Sequence, residues 1–400
     1  MGVPRTRDER GALRFRAALG VLLLVPSLGS GCVITLHPGA SQGGPTGGII
    51  TGSPPAGSWV NVTANLAGMP SECGNMSSVF VKPDENLVIA GIAQDGLWGS
   101  RDDGTSWQAL STGLASATIT NRPSSLVYDP LTPSQYWESG AYNGGGVYET
   151  MDDGVTFTQL GDVTDSDLVS VDLTDPKRQT LLAGGHEAAQ TLYRSTDGGM
   201  TWTNVGADLP ASTDCTFPLV IDAQTYLVGC GGKNGGTADD GGVEQGIYRT
   251  IDAGTTWVPV TTSGGGSAPL MTDDGTIYWA SPNDGGMTMS MDKGMTWKNV
   301  VNTPYTIKNV HPVEVSKSTI ATLGQQYVVT SSDHGMTWNI ASPLLPWTDD
   351  DGGTQGPVGV VYSSHENAFY VWGQTCGFPP PIPVPADAIM KYVIAGGADD

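Results

Sequence analysis

Seven four-stranded β blades closed into a ring, an all-β propeller, are what this sequence predicts, on three observations. The first is composition. With 56 Gly and 27 Pro in 400 residues, 14% charged and 38% apolar, the chain is rich in turns. It has neither the charge nor the periodicity of a coiled coil or helical bundle, and its glycines lack the three-residue period of collagen. The second is a pattern, S/T-x-D-x-G-x-T/S-W/F, that begins at Ser100, Thr150, Ser195, Thr250, Ser290 and Ser331. The spacings of 50, 45, 55, 40 and 41 residues are each the length of one four-stranded blade. The third is a set of short apolar strands around every copy, with one blade's worth left over when the two ends of the chain are added together.

The N-terminal segment is set apart from the ring. Arg5, Arg7, Arg10, Arg14 and Arg16 precede an apolar run from Ala17 to Leu28, the signature of a secretory leader. Residues 1–31 form this leader, residues 32–56 read as a Gly/Pro/Ser-rich tether that begins at Cys32, residues 57–396 as the ring and 397–400 as a tail. No later apolar run reaches the ~20 residues that a membrane-spanning helix requires. Forty acidic residues against 18 basic ones give a net charge of −22, which disfavours nucleic acid as a partner. The acidic residues are spread through loops as a solubilising surface, and calcium sites are the other reading. Neither Asp239-Asp240 nor Asp349 to Asp351 has the spaced ligands of a defined calcium loop. No cofactor is expected.

Each repeated pattern is a hairpin with a local reason for every fixed residue. Asp102, Asp152, Asp197, Asp252, Asp292 and Asp333 are expected to accept backbone N–H groups two residues on, and the following Gly takes the left-handed conformation. The aromatic then opens the next strand and buries its ring between blades. These aspartates are structural by this reading, because each satisfies its own turn. Strands such as Gly146 to Tyr148, Thr191 to Tyr193 and Gly246 to Tyr248 lie just before the turns, so the turn joins the third and fourth strands of a blade.

Six turns leave three strands after Trp338, at Val358 to Tyr362, Ala368 to Trp372 and Met390 to Ile394. The fourth is expected at the other end. Trp59-Val-Asn-Val62, with Asn65-Leu66 and Pro70 behind it, repeats Trp202-Thr-Asn-Val205 with Asp208-Leu209 and Pro210. The N-terminal strand therefore closes blade seven and removes an open edge.

Connections between blades and between second and third strands emerge on one face, opposite the repeated turns. Cys73 and Cys376 meet there at the seam, and Cys215 and Cys230 stand at the ends of one hairpin, so Cys73–Cys376 and Cys215–Cys230 are expected disulfides, with reduced buried thiols as the alternative. This face carries the long loops and the candidate ligand-binding residues Arg122, Glu138, Tyr142, His186, Glu187, Asp284 and Trp347.

The six turns resemble the Asp-box, or BNR repeat, of sialidase-like propellers. Small residues ahead of Cys32 resemble the lipobox of bacterial lipoproteins, although Leu28 stands one position farther from the cysteine than usual. That resemblance implies lipidation of Cys32 and an envelope location, on the outer membrane or cell surface, with plain secretion as the alternative. The sialidase resemblance implies an arginine triad, yet Arg101, Arg178, Arg194 and Arg249 sit at or beside turns on the opposite face and only Arg122 is well placed. The expectation is thus a non-catalytic module that binds a glycan or protein, with no sialidase activity. The alternative is a glycoside hydrolase or lyase of the Asp-box propeller type. Xyloglucan-cleaving relatives use two carboxylates across a cleft between two propellers, whereas this chain has one ring.

Overall fold

The computed structural model describes residues 50–69, 76–231, 245–281, 286–300, 310–324, 326–347, 357–373 and 388–395. Seven antiparallel sheets form the blades. Blade one spans Met76–Val81, Val88–Ile92, Gly96–Ser100 and Gln108–Ala109. Blade two spans Arg122–Tyr128, Tyr136–Ala141, Val147–Thr150 and Thr158–Gln159, and blade three Ser166–Val171, Leu181–Gly185, Leu192–Ser195 and Thr203–Asn204. Blades four to six begin at Cys215, Leu270 and Val313 and follow the same order.

Blade seven consists of Pro357–Ser363, Ala368–Gly373 and Ile389–Val393 with Val60–Asn61 on its outer edge, Val60 opposite Lys391 and Asn61 opposite Met390. The closure predicted from the Trp59 to Val62 pattern is therefore the observed one, and seven blades are present. Its energetics repeat those of other junctions. The indole of Trp107 donates to the Val62 carbonyl at 3.0 Å, as Trp202 donates to Leu160 (3.0 Å) and Trp257 to Val205 (2.9 Å). Val62, Leu66, Met76, Trp107, Tyr370 and Ile389 share one buried apolar cluster, so blades seven and one are joined by the same hydrophobic burial that joins their neighbours. One departure concerns the tether: Ile50–Thr51 pairs in parallel with Trp338 and Asn339 as a fifth strand of blade six. The unpaired edge of that blade's outer strand supplies the backbone partners.

The six repeated turns share one hydrogen-bond scheme. The leading hydroxyl donates to the Asp carboxylate at 2.7 to 2.9 Å and accepts the Gly N–H at 2.8 to 3.1 Å. The same carboxylate accepts a backbone N–H four residues on, not two as expected, at 2.8 to 2.9 Å. The reason is that the fourth residue of the pattern, just after the Asp, is itself left-handed, as at Asp103, Asp153, Ala253, Lys293 and His334, which swings the later N–H toward the carboxylate. That left-handed residue also reaches the preceding blade. Asp153 meets Lys82, the Ala253 carbonyl accepts from Arg194, the Lys293 carbonyl accepts from Arg249, and His334 bonds the Tyr278 hydroxyl.

Candidate functional site

The second strand of each blade lies between two neighbouring sheets, and in blade two all six residues of Tyr136–Ala141 are buried. Beyond it the chain turns at Tyr142 to Gly146 on the loop-rich face. In blade three the corresponding strand, Leu181–Gly185, is followed by His186 and Glu187. The connection between the blades, Gly161 to Asp165, passes between these two loops and pins both. Asp165 accepts the Tyr142 N–H through its carboxylate (2.8 Å) and the His186 N–H through its backbone carbonyl (2.7 Å), and its own N–H donates to Gly145 (2.9 Å).

The pinned loops bring Tyr142, His186 and Glu187 together. The Tyr142 and His186 rings pack edge to face with centroids 4.5 Å apart. His186 Nδ1 lies 2.7 Å from Asp167 Oδ1, and Nε2 lies 3.7 Å from Glu187 Oε1. The second distance is too long for a hydrogen bond, and Nε2 is buried without a partner. The bond to Asp167 raises the His186 pKa above its ordinary 6.5, against the effect of burial, and the charges of Asp167, Glu187 and Asp165 add to it. Burial raises the Tyr142 phenol, with the Glu187 charge adding and the Arg122 charge opposing. Glu187 is 55% exposed and Tyr142 39%, so both are presented to solvent.

Of the residues expected to bind ligand, Tyr142, His186 and Glu187 thus gather at one corner between blades two and three, and Arg122 lies on the adjoining strand opposite Ala141. Two others are placed differently. Trp347 is 2% exposed within the apolar cluster of blades six and seven, because its indole fills the space beside Val360 and Phe369 rather than facing solvent. Glu138 is fully buried, receives a bond from Asn121 Nδ2 at 3.2 Å, and is pushed by desolvation up to about 8. Its Oε1 and the Asn121 Oδ1 lack partners. Asp284, Asp239-Asp240, Asp349 to Asp351, Cys32 and the Cys73–Cys376 pair lie outside the described residues, as do the leader and the tail. Cys215 and Cys230 are bonded. Sequence reasoning missed Asp165 and Asp167. Their signal was slight: two carboxylates separated by one residue where the connection runs into the first strand of blade three.

The remaining arginines are engaged elsewhere. Arg178 is bound to Asp129, Arg101 to Glu85, Arg194 to the Ala253 carbonyl and Arg249 to the Lys293 carbonyl. Among the described residues no group of three or more His, Cys, Asp or Glu side chains is arranged to hold a metal ion. No described helix is long and apolar enough to cross a membrane.

No family model matches the chain. It is similar to a probable oligoxyloglucan-reducing end-specific xyloglucanase of Neosartorya fischeri, 26% identical over 232 residues, which are 50% of this chain and 26% of the relative. It is also similar to a xyloglucanase of a Paenibacillus species, 27% identical over 235 residues, covering 56% of this chain and 20% of the relative. The chain therefore spans about a quarter of the length of the curated relatives it matches. Among solved structures, the GH74 enzyme of Niastella koreensis superposes with a TM-score of 0.55 at 16% identity, over 80% of this chain and 52% of that one. The GH74 xyloglucanase of Xanthomonas campestris gives 0.52 at 18% identity, with the same coverages. These structural likenesses establish the fold: a seven-bladed β-propeller with xyloglucanase-like neighbours. The two curated relatives overturn the expectation of a non-catalytic binding module, since both are named as enzymes that cleave a glycan.

Proposed function

We propose that this chain is a glycoside hydrolase acting on xyloglucan or a closely related β-glucan, with the loop-rich face of its propeller as the glycan-binding wall. The sequence similarity to two xyloglucanases carries this reading. The corner between blades two and three supports it chemically, because an exposed aromatic beside carboxylates suits a ligand of apolar ring faces and many hydroxyls. Glycoside cleavage uses one carboxyl as acid and another as base or nucleophile, and Glu187 is a solvent-facing carboxylate of that corner.

The six hairpins support membership of the Asp-box class, within which the sialidase arginine triad is missing. The leader and Cys32 support export, with a lipid anchor at the cell envelope. Incubating the full chain with xyloglucan and measuring new reducing ends tests the activity. Release of oligosaccharides is expected, and no release from xyloglucan or from unbranched β-glucan would refute it.

A further inference from the structure

We propose that Tyr142 and Glu187 form a sugar subsite: Tyr142 stacks on one pyranose ring, Glu187 accepts its hydroxyls, and His186 is the positioning residue that holds the Glu187 carboxylate. The ligand class, a neutral sugar unit of a β-glucan, rests on the glycoside hydrolase reading; the arrangement itself stands on the geometry.

Four features of the corner converge on this role. Tyr142 presents a large apolar ring to solvent while His186 packs against it edge-on, so ring orientation is fixed before any ligand arrives. Both side chains leave backbone held left-handed, Tyr142 at φ +61° and Glu187 at φ +48°. Bulky residues seldom occupy such positions, and the three hydrogen bonds of Asp165 over-determine the loops that hold them there. Arg122 is near enough for its charge to act on the Tyr142 phenol, and it offers donors to ring or hydroxyl oxygens that Glu187 cannot supply.

The fourth feature is the unfilled Nε2 of His186. Asp167 accepts at Nδ1, which leaves Nε2 of the neutral ring without a proton and 3.7 Å from a carboxylate that also only accepts. Protonation converts Nε2 to a donor, and the short approach still missing then becomes a charge-assisted hydrogen bond. Glu187 is drawn in beside the Tyr142 ring and loses its freedom to swing. The groups facing His186 are Asp167, Asp165 and Glu187, all acidic, together with the Tyr142 phenol, so each carboxylate favours the imidazolium. The subsite is therefore tightest below the His186 pKa and loosens as pH rises through it.

Calorimetric binding of a six-glucose β-1,4 oligosaccharide and its xylose-substituted counterpart to the full chain tests this, read separately from hydrolysis. Tyr142→Asn and Glu187→Asn keep a residue that tolerates left-handed backbone. Each should weaken Kd by about tenfold with an unchanged melting temperature. Binding to the parent should weaken as pH rises above 6.5, and Asp167→Asn should shift that inflection downward because it removes the largest cause of the raised His186 pKa. Parent-like Kd in both Asn variants, no binding of either oligosaccharide, or an inflection that Asp167→Asn does not move would overturn the subsite. Variant-sensitive binding without hydrolysis would support it while overturning the proposed enzyme activity.

Discussion

Replacing Arg178 by Met should destabilise the ring through a contact that joins two blades. Arg178 sits in the first-to-second turn of blade three, and its Nε and Nη2 donate to the two carboxylate oxygens of Asp129 in the matching turn of blade two, both at 2.8 Å. Both side chains are 4% exposed. Arg178→Met keeps most of the apolar stem but strands the Asp129 carboxylate, which then retains only the N–H groups of Leu131 (2.8 Å) and Thr132 (3.3 Å). Breaking one side of a buried pair costs ~3–5 kcal/mol. At about 2.1 cal/mol/K per residue over the roughly 340 residues of the ring, that lowers Tm by ~4–7 °C. Adding Asp129→Asn should restore part of the loss, because the stranded charge is gone. The Arg178 bond holds the Asp129 carboxyl below its ordinary 3.8. Its stabilisation is thus complete above pH 3.8 and lost as pH falls through the lower folded value. The gap between parent and variant should be full at pH 7 and narrow below about pH 3.8 in thermal melts. An Arg178→Met protein melting within about 1 °C of the parent at pH 7, or a double variant less stable than the single one, would refute the reasoning.

Glu138→Gln should stabilise the protein above pH 8 by ~2 kcal/mol or more, since burial lifts the folded carboxyl from 4.5 to about 8 and folding must then keep a proton that the unfolded chain releases. The gain should vanish at pH 4 in urea titrations. Gly104→Ala places a Cβ 2.6 Å from Val62 at φ +83° and should cost ~2–4 kcal/mol, whereas Gly68→Ala, at φ +73° with nothing within 4 Å, should cost ~1 kcal/mol. Equal losses in melts of the two variants would contradict the packing of the first repeated turn on the closing strand. Deleting residues 58–66 should abolish cooperative unfolding, because it exposes the edge of Ile389–Val393 and removes Val62 and Leu66 from the seam cluster. A sharp calorimetric transition in that deletion would show that the seam does not depend on this strand.

What could be read from residue order is what short segments decide. Each repeated turn is satisfied within eight residues, so type, spacing and count of the hairpins followed from Ser/Thr, Asp and Gly alone. The seam was legible for a related reason: Trp59-Val-Asn-Val62 carries the outer-strand pattern of Trp202 to Val205, and the Trp107 indole meets the Val62 carbonyl as the Trp257 indole meets Val205. The curated relatives overturned the non-catalytic expectation, which had rested on the missing arginine triad.

The corner site needed the third dimension. Asp165 and Asp167 look like solubilising carboxylates in the chain, and only the stacking of blade three on blade two sets them against residues some twenty positions away. The same stacking decides burial. A tryptophan ahead of an acidic run reads as exposed, yet Trp347 fills the junction of two blades. Glu138 lies on a strand sandwiched on both faces, where the alternation that marks a solvent-facing side is lost. Arg178 and Asp129, 49 residues apart, become a bidentate pair because equivalent turns of successive blades are neighbours in space. Local hydrogen bonding writes the turns into the sequence, whereas the partners of a buried charge are fixed only once the sheets pack.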